Sequence, residues 1–283
     1  MELDSVLTVV GNVGLELTTR NTLRVLDWLG ASDVPVYMGA DRPLRGDVRE
    51  ASYWHGIDGL GGAELPESLR TADPNGVDYL CRRVLQDPGQ VTLVCTAPLT
   101  NLALALQREP RIVECVQKVV LMGGAVFGPG NVTPVAEFNI YADPSAAALV
   151  FEQPWPITMV GLDVTEHVRL MRDEQLRLAV GALPEAVLVR EVTRHIFDMR
   201  GMPSMALHDP LALLIAVEPD LVTTVQHDVQ VETRGEHTLG QTVVDLRQSA
   251  PPPRLDTWVC TEVDAARAKE RFLQTLLDPV KAH

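Results

Sequence analysis

Two amides and a carboxylate lie close together in Asn131-Val-Thr-Pro-Val-Ala-Glu137-Phe138-Asn139, at spacings of six and two residues. Such groups together both donate and accept hydrogen bonds, which is what a pair of hydroxyls requires. In an extended segment, residues two apart face the same way. Glu137 and Asn139 are therefore expected to reach one ligand, with Phe138 turned to the other side. The same composition also describes an Asn-rich surface turn, and the local residues leave that alternative open. A second cluster is His208-Asp209-Pro210. Asp209 reads as a helix N-cap with Pro210 at the first helical position, and an imidazole titrates near neutral pH. Here too a purely structural role accounts for the residues equally well. Tyr53-Trp54-His55-Gly56-Ile57-Asp58-Gly59-Leu60-Gly61-Gly62 forms a flexible loop able to close over a ligand or to serve as an ordinary turn. It is no phosphate-binding loop, because no Gly-Lys-Ser/Thr follows.

The elements that must position these residues alternate along the chain. Val6–Val10, Val34–Tyr37, Val91–Thr96, Lys118–Met122 and Pro156–Leu162 are apolar runs that predict strands. Helices are expected near 78–86, 99–108, 144–152, 184–199 and 209–216. The alternation argues for an α/β fold, an open and mostly parallel sheet with helices on both faces. Beyond about residue 220, Val222–Val231 and Thr242–Leu246 predict a β-ribbon, and a last helix is expected near 263–278. No domain boundary is visible, so 1–283 reads as one domain. Ligands of such sheets bind outside the carboxyl ends of the strands. Asn12, Thr96, Gly123-Gly124 and Asp163 all follow predicted strands; Asp163 alone reads equally well as a loop or cap residue.

Composition narrows the partners. The chain has 283 residues, 46% of them hydrophobic, enough for one large core, and a net charge of −14. An acidic surface repels phosphate backbones, so nucleic acid is not an expected partner, whereas a neutral small molecule needs no positive field. Cys81, Cys95, Cys115 and Cys260 form no CxxC pair, which argues against a disulfide framework or a structural zinc site. No run approaches the roughly 18 apolar residues of a membrane span. No signal peptide is visible, and a soluble cytoplasmic protein is expected.

Taken in order, Val9-Val-Gly-Asn12-Val, Thr96-Ala-Pro-Leu-Thr-Asn101-Leu-Ala, Val120-Leu-Met-Gly-Gly124, Ala136-Glu-Phe-Asn139, Gly161-Leu-Asp-Val-Thr165 and Leu207-His-Asp-Pro210 resemble the inosine/uridine-preferring nucleoside hydrolase family, from about residue 2 to about 275. The resemblance implies hydrolysis of ribonucleosides to ribose and free base on an open α/β fold with a bound Ca²⁺ ion. It implies Asp209 and the Thr96 carbonyl as metal ligands. Asn12, Asn131, Glu137 and Asn139 would hold the ribose hydroxyls, with Met122 beneath the sugar. Phe138 and His55 would stand near the ligand, and His208 near the base, where it would protonate the leaving group. His195 falls in the segment that would line the base pocket, where it would stack on or bond to the base; an exposed helical histidine is the alternative. The family resemblance further suggests a homodimer or homotetramer.

One departure stands out. The family opens with a strand ending in Asp-x-Asp-Pro-Gly-x-Asp-Asp, which supplies most of the calcium carboxylates and the general base, and that string is absent here. Relative to the family the first strand is expected to be missing. The site loses most of its negative charge, and the chain as written is expected to be weakly active or inactive. A misassigned start and a natural short form that binds nucleosides or ribose without cleaving them both fit.

Overall fold

The computed structural model describes residues 1–178 and 183–277. Its strands are β1 (Val6–Thr8), β2 (Val36–Met38), β3 (Thr92–Cys95), β4 (Lys118–Met122), β5 (Ile157–Val160), β6 (Arg169–Met171), β7 (Ser204–Ala206), β8 (Val222–Gln226), β9 (Gln230–Val231), β10 (Thr242–Val243) and β11 (Thr257–Val263). The central sheet runs β3-β4-β5-β11-β8, parallel except for β8 at the far edge. Val119 to Met122 of β4 are all buried, as expected for a strand covered on both faces. Alternate residues feed two separate cores. Val119 and Leu121 pack with Leu102, Leu106, Phe151 and Trp155 on one face. Val120 and Met122 pack with Leu211, Ile215 and Ala268 on the other.

The predicted helices are present as Gly76–Gln86, Thr100–Arg108, Pro144–Phe151, Pro184–Arg194 and His208–Val217, the fourth continuing into a π-helical turn at His195–Met199. The last helix is Ala265–Leu277; residue 278, its expected end, lies outside the described residues. The proposed β-ribbon needs correction. Val222–Gln226 joins the central sheet, antiparallel to β11, and only Gln230–Val231 and Thr242–Val243 form a short ribbon. The edge strand β8 buries alternate residues only partly, so its pattern reads equally well as a ribbon. The sequence reading also passed over β11 itself.

β1 and β2 pair in parallel as a separate two-stranded sheet, Val6 opposite Val36. A side chain fastens it to the rest. Asn101, in the first turn of the helix that follows β3, donates from Nδ2 to the Thr8 carbonyl at 3.0 Å and accepts from the Ala40 N–H at 2.8 Å. Gly39 makes room for it: a Cβ there would lie 2.1 Å from Asn101 Oδ1. A second staple is Asp143, fully buried, which accepts from Ala146 N, Thr100 Oγ1 and Leu44 N. Removing that carboxylate strands three donors in the interior. Asp143→Ala is expected to cost about 2–4 kcal/mol, read as a drop in the urea midpoint; an unchanged midpoint would show that the staple is dispensable.

Candidate functional site

The site grows from the carboxyl end of β4. The chain leaves Met122 through Gly123 and Gly124 and returns as a short helix, Phe138–Ala142. Glu137 caps that helix. It is only 2% exposed, and its carboxylate accepts from Asn139 N (2.8 Å), Ile140 N (3.2 Å) and Gly124 N (3.0 Å). One acid therefore ties the end of a strand to the start of a helix. Asn139 donates from Nδ2 to the Met122 carbonyl at 3.0 Å and to its sulfur at 3.3 Å, leaving Oδ1 without a hydrogen bond among the described residues. Asn131 accepts from the Phe138 N–H at 2.9 Å, so its side-chain NH₂ stays available. The expectation of an extended segment with Glu137 and Asn139 side by side is corrected here. The segment turns into a helix at Phe138 because Glu137 caps it, and Glu137 is bound to backbone amides.

Asp209 also departs from expectation. The helix begins at His208, with Leu207 at the cap position and no side-chain cap. Asp209 lies inside the first turn, and its carboxylate accepts no hydrogen bond among the described residues. It is open to solvent on one side, yet protein crowds the others. That desolvation, followed by the nearby Glu137 charge, pushes its pKa up to about 7. Burial raises Glu137 as well, opposed by the backbone N–H groups that bind it.

The histidines come from three elements, His208 at the start of its helix, His55 at the glycine-rich loop and His195 in the π-helical turn. His208 Nδ1 meets the Thr165 hydroxyl at 2.7 Å, and Nε2 lies 3.9 Å from a Glu166 carboxylate oxygen. Burial lowers its pKa, Glu166 works the other way, and Arg169 and His55 add to the lowering. His55 is lowered by burial and then by His195. The Gly61 N–H donates to the His55 carbonyl at 2.7 Å, and a Cβ on Gly61 would lie 3.1 Å from the His195 Cβ, so the His55 loop abuts the His195 turn. Thr96 follows Cys95, which stands opposite Leu121, so it continues beside Met122 at the same rim. Asn12 follows β1, and its carbonyl accepts from Ala51 N at 3.0 Å, tying the β1 end to the segment leading into the His55 loop. Neither the Asn12 nor the Thr96 side chain bonds to the other candidates. The structure therefore joins Met122, Asn131, Glu137, Phe138 and Asn139 directly and sets Asp209 against them. It sets the His55 loop against the His195 turn, and places Asn12 and Thr96 after the strands β1 and β3.

Thr165 and Glu166, which flank His208, were missed in the sequence; Thr165 stands in a quoted motif, but nothing in one chain shows which ring it meets. Asp163 proves to be a loop clamp, accepting from Val126, Phe127 and Gly128 N–H groups.

The donor set does not complete a calcium site. Ca²⁺ takes six to eight oxygens, several of them carboxylate. Here Asp209 offers one unengaged carboxylate and Thr96 one carbonyl, while Glu137 is bound to amides. Among the described residues no three His, Cys, Asp or Glu side chains gather to hold a metal ion.

The inosine-uridine preferring nucleoside hydrolase family matches residues 1–270 of this chain. The chain belongs to that family. It is 38% identical to the inosine-uridine preferring nucleoside hydrolase of Leishmania major, over 89% of this chain and 82% of that one. It is equally 38% identical to the pyrimidine-specific ribonucleoside hydrolase RihA of Citrobacter koseri, over 87% and 80%. Its fold superposes on the purine-preferring ribonucleoside hydrolase of Gardnerella vaginalis with a TM-score of 0.91 and 33% identity, covering 100% of this chain and 92% of that one. The chain is thus a nucleoside hydrolase, an N-ribohydrolase by family. Among its described residues no helix is long and apolar enough to cross a membrane.

Calorimetric titration of Ca²⁺ into residues 1–283 is expected to show no saturable binding below about 1 mM. Micromolar binding abolished by Asp209→Asn would contradict the reading of an incomplete donor set.

Proposed function

We propose that this nucleoside hydrolase takes one neutral ribonucleoside, sugar first, at the carboxyl ends of β3 and β4, and cleaves its N-glycosidic bond to ribose and free base. One observation carries the reading. Asn139 Oδ1 and the Asn131 NH₂ are the hydrogen-bonding capacity left over after the loop has folded around the buried Glu137. A ribose diol both donates and accepts, and meets that set. Met122, held by Asn139, floors the sugar, and Phe138 borders it.

Cleavage leaves positive charge on the sugar ring. Asp209, the carboxylate without a hydrogen bond, stabilises that charge as it forms. A water oxygen bonds to C1′ as the C1′–N bond breaks, the water's proton passing to Asp209, and the departing base takes up a proton of its own. His208, oriented by Thr165 and supported by Glu166, stands where it can supply one, with His55 and His195 on the base side. Protonation of the leaving group by a placed side chain accounts for about 10²–10⁴ in rate. The single unengaged carboxylate favours a second reading, in which the same pocket binds a ribonucleoside without turnover.

Two measurements test this. Inosine and uridine are expected to bind at least about tenfold more tightly than their 2′-deoxy counterparts, because an absent hydroxyl leaves polar protein groups unpaired. Equal affinity for the deoxy forms would place the sugar elsewhere. Ribose release in a reducing-sugar assay is expected from the wild type, and His208→Ala is expected to slow it about 10²-fold or more. Binding with no ribose released would select the non-catalytic reading.

A further inference from the structure

The loop that carries His55 has almost no conformational preference of its own. After the helical turn Ser52–His55, Gly56, Gly59, Gly61 and Gly62 all adopt left-handed φ, from +64° to +81°. Glycines at such positions leave the unfastened chain many alternatives. Burial does not hold the leading residues, since Tyr53 is 68% exposed and Trp54 37%. Something else must fix His55 beside His195.

That fastening is Arg200. Its guanidinium carbon lies 3.9 Å from the Tyr53 ring centre and 3.8 Å from that of Trp54. Nη1 donates to the Tyr53 carbonyl at 2.9 Å and Nη2 to the Tyr53 hydroxyl at 2.6 Å. The two rings stand edge to face at 72°. No carboxylate among the described residues comes within 4 Å of Arg200; the nearby Asp198 engages Arg172 and Arg194. The backbone of Arg200 is fixed in turn, its N–H donating to the His195 carbonyl at 3.1 Å. The loop's far end docks on the same element. A Cβ on Gly61 would sit 2.5 Å from the Val192 carbonyl oxygen and 3.1 Å from the His195 Cβ. Asn21 holds the middle, donating to the Asp58 carbonyl at 2.7 Å.

We propose that Arg200 is a positioning residue: by clamping Tyr53 and Trp54 to the turn that carries His195, it sets His55 at the base end of the pocket. The inference rests on the nucleoside reading given above. It predicts a division of labour, because the clamp touches neither Asn139 nor Met122. Loss of the clamp should loosen grip on the base and leave grip on the sugar unchanged. Lysine cannot take its place, since an ammonium neither stacks between two rings nor presents a two-pronged donor.

The test compares the wild-type chain with Arg200→Ala, Arg200→Lys and Tyr53→Phe. Amide exchange over residues 53–62 is expected to speed up at least about tenfold in Arg200→Ala, with the core strands unaffected. Inosine affinity is expected to fall about tenfold in Arg200→Ala and nearly as much in Arg200→Lys, while free ribose binds all variants alike. Tyr53→Phe, which loses one of two hydrogen bonds and keeps the stack, is expected to change inosine affinity less than threefold. Unchanged exchange over 53–62 overturns the clamp. So does an equal loss of ribose and inosine binding, or full recovery with lysine. A wild type that binds no nucleoside refutes the proposed function instead, and the exchange measurement then decides the clamp alone.

Discussion

Glu137 is the constraint on which the site depends. A buried carboxylate is costly unless its charge is met, and here backbone N–H groups of Gly124, Asn139 and Ile140 meet it. Those bonds make the chain that leaves β4 come back against it. Asn139 then reaches the Met122 carbonyl, and the sugar floor exists. The arrangement also dictates Gly124, whose φ of +81° and lack of a side chain let its N–H turn toward Glu137; a Cβ would lie 2.3 Å from the Met159 methyl and 2.9 Å from Thr242. Thr242 completes the knot, its hydroxyl accepting from the Ala125 N–H and donating to the Ala125 carbonyl.

The two ends of the pocket are built on different physical terms. The sugar end sits on buried strand ends and one capped helical turn, packed on both faces by the two cores. The base end rests on a glycine-rich loop, a π-helical turn and an arginine stack, anchored by Leu60, Ala63 and Phe197. Rigid elements suit the ribose, which every ribonucleoside shares. A loop-built rim suits the base, which varies. The acidic balance of the chain, a net charge of −14, agrees with a neutral ligand.

Much of the fold was legible because β4, β5 and the helix at 100–108 carry unbroken apolar or amphipathic patterns that permit one reading. β8 was assigned to the wrong sheet because an edge strand and a ribbon bury alternate residues alike, and only tertiary pairing with β11 separates them. The site residues were found through ordered motifs, but their bonding was not. Nothing local distinguishes a Glu137 that grips hydroxyls from one that grips amides three residues on and thirteen residues back. Asp209 read as a cap because Asp before Pro usually is one; here the helix starts two residues earlier, at His208, and leaves the Asp209 carboxylate inside the first turn with no hydrogen bond. The role of Arg200 was invisible, since its partners lie about 150 residues upstream and no spacing rule links them.

The most direct test is a crystal structure of residues 1–283 soaked with inosine or an uncleavable analogue. The account predicts the 2′- and 3′-hydroxyls within about 2.7–3.2 Å of the Asn139 and Asn131 side chains, the sugar ring over Met122 facing Asp209, and the base among His55, His195 and His208. A ribose bound away from the end of β4, with Asn139 and Asp209 untouched, would contradict it.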